Sequence, residues 1–174
     1  MNSDWRYPTT VTQYAEHESH IAWDDVDNFM GIKQPDNYNL STVSDLVHYA
    51  NPGTNDMRTK TWFLVATNFK MTDLTGTVTG IEVKLDTRRG GRVSDETVQL
   101  YLGDVNIGDN GATLELDMIK TYGGSSNLWG LDSIDVSTVQ RSDFGIVLRF
   151  QSHPHWPHRS QMLINSAAIR VWTT

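Results

Sequence analysis

The sequence predicts an all-β protein, an antiparallel β-sandwich of jelly-roll type with about eight strands. Three observations carry this expectation. Apolar residues alternate with polar ones at period two in several short segments, helical stripes at i, i+3, i+4 and i+7 are sparse, and Gly, Asn and Asp punctuate the chain at strand-length intervals.

The clearest strand runs from Val78 to Asp86, where Ile81, Val83 and Leu85 alternate with Glu82, Lys84 and Asp86, so that one face is core and the other wet. Thr97 to Gly103 repeats the pattern with Val98, Leu100 and Leu102 inward, and Phe144 to Phe150 with Phe144, Ile146, Leu148 and Phe150. Ile81, Val83, Leu85, Val98, Leu100, Ile146 and Leu148 are therefore expected to share one core. Lys60 to Phe69, Thr113 to Lys120 and Met162 to Trp172 are further strands. The last carries two apolar parities, which implies burial on both faces or a bend at a bulge. In the N-terminal third, Ser19 to Trp23 and Asp45 to Tyr49 are the expected strands. Asp24 to Asn39 reads as a long surface loop.

The chain has 174 residues, enough for one domain that buries roughly 70% of its unfolded surface without staples. Residues 19–174 are expected to form that domain, and residues 1–18 an N-terminal arm or first edge segment, in which Trp5 and Tyr7 are candidate contacts to a neighbouring subunit. The chain contains no cysteine, so disulfides and thiolate metal sites are excluded and assembly in a reducing cytoplasm is expected. No apolar run approaches the ~20 residues that span a bilayer, and no export signal is recognisable, so neither a membrane partner nor secretion is expected. With 14 Lys plus Arg against 21 Asp plus Glu, the net charge of -7 opposes binding to nucleic acid.

Catalytic signatures are weak. No Gly-x-Ser-x-Gly frames a serine, and a carboxylate pair chosen from the acidic residues has no meaning without a distance. The chain is therefore expected not to be an enzyme and to hold no cofactor. Asp24, Asp25, Asp27 and Asn28 lack the Gly and the terminal Glu of an EF-hand loop and read as a solvated turn. Tyr122 to Gly130 is glycine-rich but has neither a Lys nor a following helix, which argues against a phosphate loop. It reads as a tight turn in which Gly123, Gly124 and Gly130 take conformations closed to other residues while Trp129 caps the sandwich. The segment His153-Pro154-His155-Trp156-Pro157-His158 is the most unusual in composition. His153, His155 and His158 are weak candidates for a zinc or nickel site, but the prolines fix an extended loop on which successive imidazoles point apart. A contact between subunits through these histidines with Trp156 as the apolar anchor is the preferred reading.

From Trp62 to Trp172 the order of elements resembles a β-sandwich domain that recurs in virion proteins of tailed bacteriophages. The matching pieces are Thr67-Asn68-Phe69 closing a strand, Gly80-Ile81-Glu82-Val83, Arg88-Arg89, Val98-Gln99-Leu100, Tyr122-Gly123-Gly124 with Leu128-Trp129-Gly130, and Phe144-Gly145-Ile146 with Leu148. Ile21-Ala22-Trp23 and the polar loop after it extend the similarity through most of the chain. The sequence departs from that pattern at Met118-Ile119-Lys120, where the family places a Trp, at Val171-Trp172, where it places tyrosines, and in the His-Pro loop.

The resemblance implies a particle component assembled in the host cytoplasm, with no catalytic residues, whose partners are other virion proteins such as the major capsid protein or tail proteins. Within it the role is a head decoration or cement protein, or a tail, neck or fibre accessory that meets host glycans; the alternative outside it is a free carbohydrate-binding module, a lectin or an enzyme. Six Trp and six Tyr can supply sugar platforms or core equally well. The missing stem sequence disfavours a fibre and the acidity disfavours a DNA-facing position, which leaves decoration by a homo-oligomer, with a trimer suited to a three-fold capsid position. Metal at the histidine loop is not expected to support the fold, so a chelator should leave the thermal midpoint unchanged. A marked fall would establish a structural metal there.

Overall fold

The computed structural model describes residues 3–16, 22–23, 41–46, 60–90, 93–115, 118–152 and 160–174. They form nine strands and one short helix: β1 (Thr10–Tyr14), β2 (Ser41–Leu46), β3 (Phe63–Thr67), β4 (Val78–Gly90), β5 (Val93–Leu102), β6 (Val105–Ile107), β7 (Ile119–Gly123), α1 (Val136–Val139), β8 (Phe144–Ser152) and β9 (Ser160–Thr173). All pairings are antiparallel, in a five-stranded sheet of order β1-β3-β8-β5-β6 and a four-stranded sheet of order β2-β9-β4-β7. The pairs β5 with β6, β4 with β7, β3 with β8 and β2 with β9 nest inside one another. This is one long hairpin rolled up so that alternate pairs fall in opposite sheets, the jelly-roll topology.

The inward faces meet in one core. Ile81, Val83 and Leu85 of β4, Val98 and Leu100 of β5, and Ile146 and Leu148 of β8 are all 0% exposed and belong to the same cluster, as their period-two pattern requires. Phe144, Phe150 and Leu64 fill the space between the sheets.

Three long strands keep their apolar residues inward by changing parity, and β4 does so at Thr79, between Val78 opposite Thr173 and Gly80 opposite Trp172. In β9 the residues that join the main core are Met162 and Ile164, then Ala167, Ile169 and Val171, and the register against β4 slips between Asp86 opposite Ser166 and Thr87 opposite Ile164. Asn165 is the extra residue, and its Nδ2 donates to the Asp86 carboxylate at 2.8 Å. The two apolar parities of this segment therefore reflect a bulge. In β5, Val93 and Asp95 are buried, then Val98 and Leu100, with Glu96 the extra residue between Asp95 opposite Phe150 and Thr97 opposite Arg149.

Several boundaries differ from those expected. Thr10–Tyr14 is a strand, although apolar residues are scarce in it, because it lies at the sheet edge and needs only the backbone of β3. Before it, the Ser3 amide donates to the Val171 carbonyl at 2.8 Å, and Arg6 exchanges hydrogen bonds with Ile169 at 2.8 and 2.9 Å. Residues 3–14 thus edge the four-stranded sheet, turn at the buried Pro8 and edge the five-stranded one. The strand expected at Ser19 to Trp23 is absent at Ala22 and Trp23. Instead the Gln13 side chain brackets the Trp23 backbone, donating to its carbonyl at 3.1 Å and accepting from its amide at 2.8 Å. The Trp23 indole donates to the Trp62 carbonyl at 3.0 Å and meets Phe150 edge-on at 5.9 Å. In the segment expected at Asp45 to Tyr49, the described strand is Ser41–Leu46.

The strand expected at Thr113 to Lys120 begins only at Ile119, because the Thr113 amide is held by the Asp95 carboxylate and not by a neighbouring strand. Its apolar alternation is misleading: Leu114, Met118 and Ile119 are exposed. The short β6 follows a two-residue turn, Gly103-Asp104, with both φ positive at 51° and 72°, the geometry of a type I′ hairpin. The glycine-rich turn is as expected, with φ of 80°, 153° and 75° at Gly123, Gly124 and Gly130, and with Trp129 buried and its indole donating to the Ile81 carbonyl at 3.0 Å. The helix α1 is a single turn, and among the described residues no helix is long and apolar enough to cross a membrane.

Val83 sits between Tyr122 of β7 and Ile169 of β9 in the register. Val83→Asp places an unpaired charge there and should cost about 4 kcal/mol or more. The expected result is loss of soluble, cooperatively melting protein. A near-wild-type melting curve would contradict this packing.

Candidate functional site

The outward face of the five-stranded sheet carries the most developed polar chemistry among the described residues. The register aligns Thr12 with Val65, Val147 and Gln99 across it, and Thr10 with Thr67, Gly145, Tyr101 and Asn106. Phe63, Val65 and Val147 form a small apolar floor separate from the main core, against which Tyr101 packs.

At one end of this face the Glu96 bulge meets Arg149. The guanidinium grips the carboxylate with both ends, Nε to Oε2 at 2.5 Å and Nη2 to Oε1 at 3.0 Å, and also donates to Glu16. Lys60 Nζ donates to Glu96 at 2.9 Å and the Thr97 hydroxyl at 2.7 Å. The guanidinium lies 4.0 Å from the centre of the Phe63 ring, which stacks on Tyr14 at 5.0 Å. Burial by itself would raise the Glu96 pKa, but the hydrogen bonds from Arg149, Lys60 and Thr97 outweigh it and hold the carboxyl at about 2. Burial works against the charge of Arg149, and the two carboxylates more than offset that, raising its pKa. Burial also raises the Tyr14 phenol, opposed by Arg149 and reinforced by Glu16.

Behind this network and facing inward, the fully buried Asp95 accepts from the Tyr122 hydroxyl at 2.9 Å, the Thr113 amide at 3.1 Å and Lys120 Nζ at 3.1 Å. It ties β5 to β7 and to the loop between β6 and β7. Asn110 in that loop completes β5: its Oδ1 accepts from the Val98 and Ala112 amides at 3.0 Å each, and its Nδ2 donates to the Glu96 carbonyl at 2.9 Å. A side-chain amide thereby stands in for a backbone partner beside the bulge.

At the opposite end, Thr10, Thr12, Val65, Thr67, Asn68, Tyr101, Asp104, Ser142 and Asp143 line an open groove of about 280 Å³. Gly145, opposite Thr67 and Tyr101 in the register, lets β8 approach β3 closely, since a Cβ there would fall 1.9 Å from the Ala66 carbonyl oxygen. Asp104 is held on the β5–β6 turn with its Oδ1 3.3 Å from the Tyr101 hydroxyl. Asp143 accepts from Arg141 at 2.8 and 2.6 Å, and this pairing lowers its pKa. The Tyr101 phenol is raised by burial, then by the Asp104 carboxylate, and further by Tyr14.

Of the residues singled out as interface candidates, Trp5 lies over the outward face of the four-stranded sheet, with Lys84 Nζ and the Arg170 guanidinium each 4.5 Å from its ring. Arg170 also approaches Trp172 at 4.9 Å and pairs with Glu82. Tyr7 is half-buried beside Pro8. His153, His155, Trp156 and His158, like the Asp24 to Asn28 cluster, lie outside the described residues. Among the described residues no group of three or more His, Asp or Glu side chains is arranged to hold a metal ion.

The sequence reading passed over Arg149, Glu96, Tyr101 and Asp104. A charged Arg149 at an otherwise apolar strand and Gly103-Asp104 between two strands were the available signals.

The fold defines the class: an all-β antiparallel sandwich with jelly-roll topology. No family model, curated protein or solved structure matches the chain.

Glu96 has its ordinary pKa of 4.5 in the unfolded chain and about 2 in the folded one, so its contribution to stability is complete above pH 4.5 and is lost as pH falls toward 2. Thermal midpoints should decline through that window, and Glu96→Gln should flatten the decline while lowering stability at neutral pH by about 3 kcal/mol, because Arg149 loses its main partner. An unchanged acid limb in the variant would show that other carboxylates control it.

Proposed function

We propose that this chain is a non-enzymatic structural component of a tailed-phage virion, a decoration or cement protein that binds the outside of the head through protein contacts. The observation that carries this reading is the nested jelly-roll pairing of β2 with β9, β3 with β8, β4 with β7 and β5 with β6, an architecture used by capsid and lectin domains. The resemblance of Trp62 to Trp172 to phage sandwich domains points the same way.

The placement of the buried charges supports an assembly role. Asp95 fastens a loop to two strands, and Arg149 with Glu96 fastens a bulge to the sheet. Both act as internal ties, so the described interior spends its ionisable groups on rigidity. A rigid small sandwich suits a shell protein, in which several modest contacts made at once by a homo-oligomer give avidity. The acidic surface favours a position away from packaged DNA.

Copy number in purified particles tests the proposal. On the order of hundreds of copies per particle is the expected result for a protein repeated over a capsid surface. About a dozen copies would assign it to the tail, neck or fibres instead, and absence from particles would overturn a virion role.

A further inference from the structure

We propose that the groove on the outward face of the five-stranded sheet is a binding site for an uncharged hexopyranose, such as the terminal sugar of a neutral glycan. The inference rests on the composition of the groove and does not depend on which part of a particle carries the chain.

The groove is about 280 Å³, at the small end of the ~300 to 1,000 Å³ usual for ligand sites, so it suits one or two rings better than an extended chain. Its lining has the three features that a pyranose requires. Tyr101 offers a half-buried aromatic face backed by Val65 and Val147, a platform for the apolar C–H face of a sugar ring. Asp104 and Asp143 offer carboxylate oxygens, which accept from sugar hydroxyls in charge-assisted hydrogen bonds. Thr10, Thr12, Thr67, Ser142 and Asn68 add hydroxyl and amide groups that both donate and accept, matching the dual character of a sugar hydroxyl.

Pre-organisation strengthens the case. Arg141 holds the Asp143 carboxylate from the side and keeps it ionised. Asp104 is fixed on a turn whose two central residues both have positive φ, with its carboxylate beside the Tyr101 hydroxyl. Ring and acceptor are thus presented together, at little further cost in side-chain ordering.

The same groups select against other ligands. The Asp104 carboxylate leaves the lining with a net negative charge, which disfavours phosphates, sulfates and acidic sugars, because Arg141 and Asp143 balance one another. The rim of hydroxyl, amide and carboxylate groups would lose hydrogen bonds with water to a purely apolar ligand.

The test is amide chemical-shift mapping of the isotope-labelled full chain, titrated with methyl glycosides of glucose, galactose, mannose and N-acetylglucosamine, and with sialic acid as the acidic control. Binding in the millimolar range, about 1 to 10 mM, is expected for at least one neutral glycoside, as suits an open monovalent site. Shifts should centre on Thr12, Thr67, Tyr101 and Asp104. Asp104→Asn tolerates the same positive φ and should keep the wild-type melting temperature while weakening binding about tenfold. Tyr101→Phe retains the platform and should weaken binding less. Four outcomes would overturn the proposal: no shifts with any neutral glycoside at about 100 mM, shifts that map away from the groove, preference for sialic acid, or unchanged affinity in Asp104→Asn.

Discussion

The single-residue bulges at Asn165 and Glu96, like a third at Thr79 in β4, keep the apolar residues of this sandwich inside it. A strand of ten or more residues in a twisted, closed roll must keep one face inward along its whole length, and a strict period of two cannot serve both ends when the sequence changes parity. Asn165 in β9 and Glu96 in β5 absorb that change. Without them, either Met162 and Ile164 or Ala167, Ile169 and Val171 would face solvent, and Val93 with Asp95 would leave the side of the sheet that holds Val98 and Leu100. Asn165 and Glu96 are also tied by their side chains, Asn165 to Asp86 and Glu96 to Arg149, so the irregular backbone is held at these two bulges.

The polar architecture follows from those positions. The bulge in β5 turns Asp95 inward and Glu96 outward, placing two carboxylates on opposite sides of one sheet. Tyr122, Lys120 and the Thr113 amide converge on the Oδ2 of the buried Asp95, whose Oδ1 has no partner among the described residues, and those bonds position the loop that carries Asn110. Glu96 gathers Lys60 from the segment before β3 and Arg149 from β8. The outward face therefore has a charged, rigid end at Arg149 and an open, hydroxyl-rich end at Tyr101. The first ties strands together, and the second is the groove for which a neutral sugar is proposed above.

The N-terminal segment shows how edges are managed. Residues 3–14 pair with β9 in one sheet and with β3 in the other, covering backbone groups that would otherwise template association with another chain. Trp5 is consequently spread over Lys84 and Arg170 of its own sheet. The exposed Met118 and Ile119 lie at the opposite edge, where β7 begins.

What the sequence determined by itself was the fold class and the centre of the core. Alternation at Ile81, Val83, Leu85, Val98, Leu100, Ile146 and Leu148 is a local signal, and burial of one face follows from it wherever the strand is placed. The double parity of Met162 to Trp172 admitted either burial on both faces or a bulge, and the register shows a bulge at Asn165. Tertiary structure alone decided the rest. The edge strand β1 owes its existence to the free backbone of β3 and carries little apolar pattern of its own. Thr113 to Lys120 read as a strand, but the Asp95 carboxylate holds the Thr113 amide away from any neighbouring strand, and Leu114, Met118 and Ile119 are exposed. The Arg149–Glu96 grip and the Tyr101–Asp104 groove join residues from different strands. Their chemistry depends on distances between segments far apart in the chain, and no local pattern encodes such a distance.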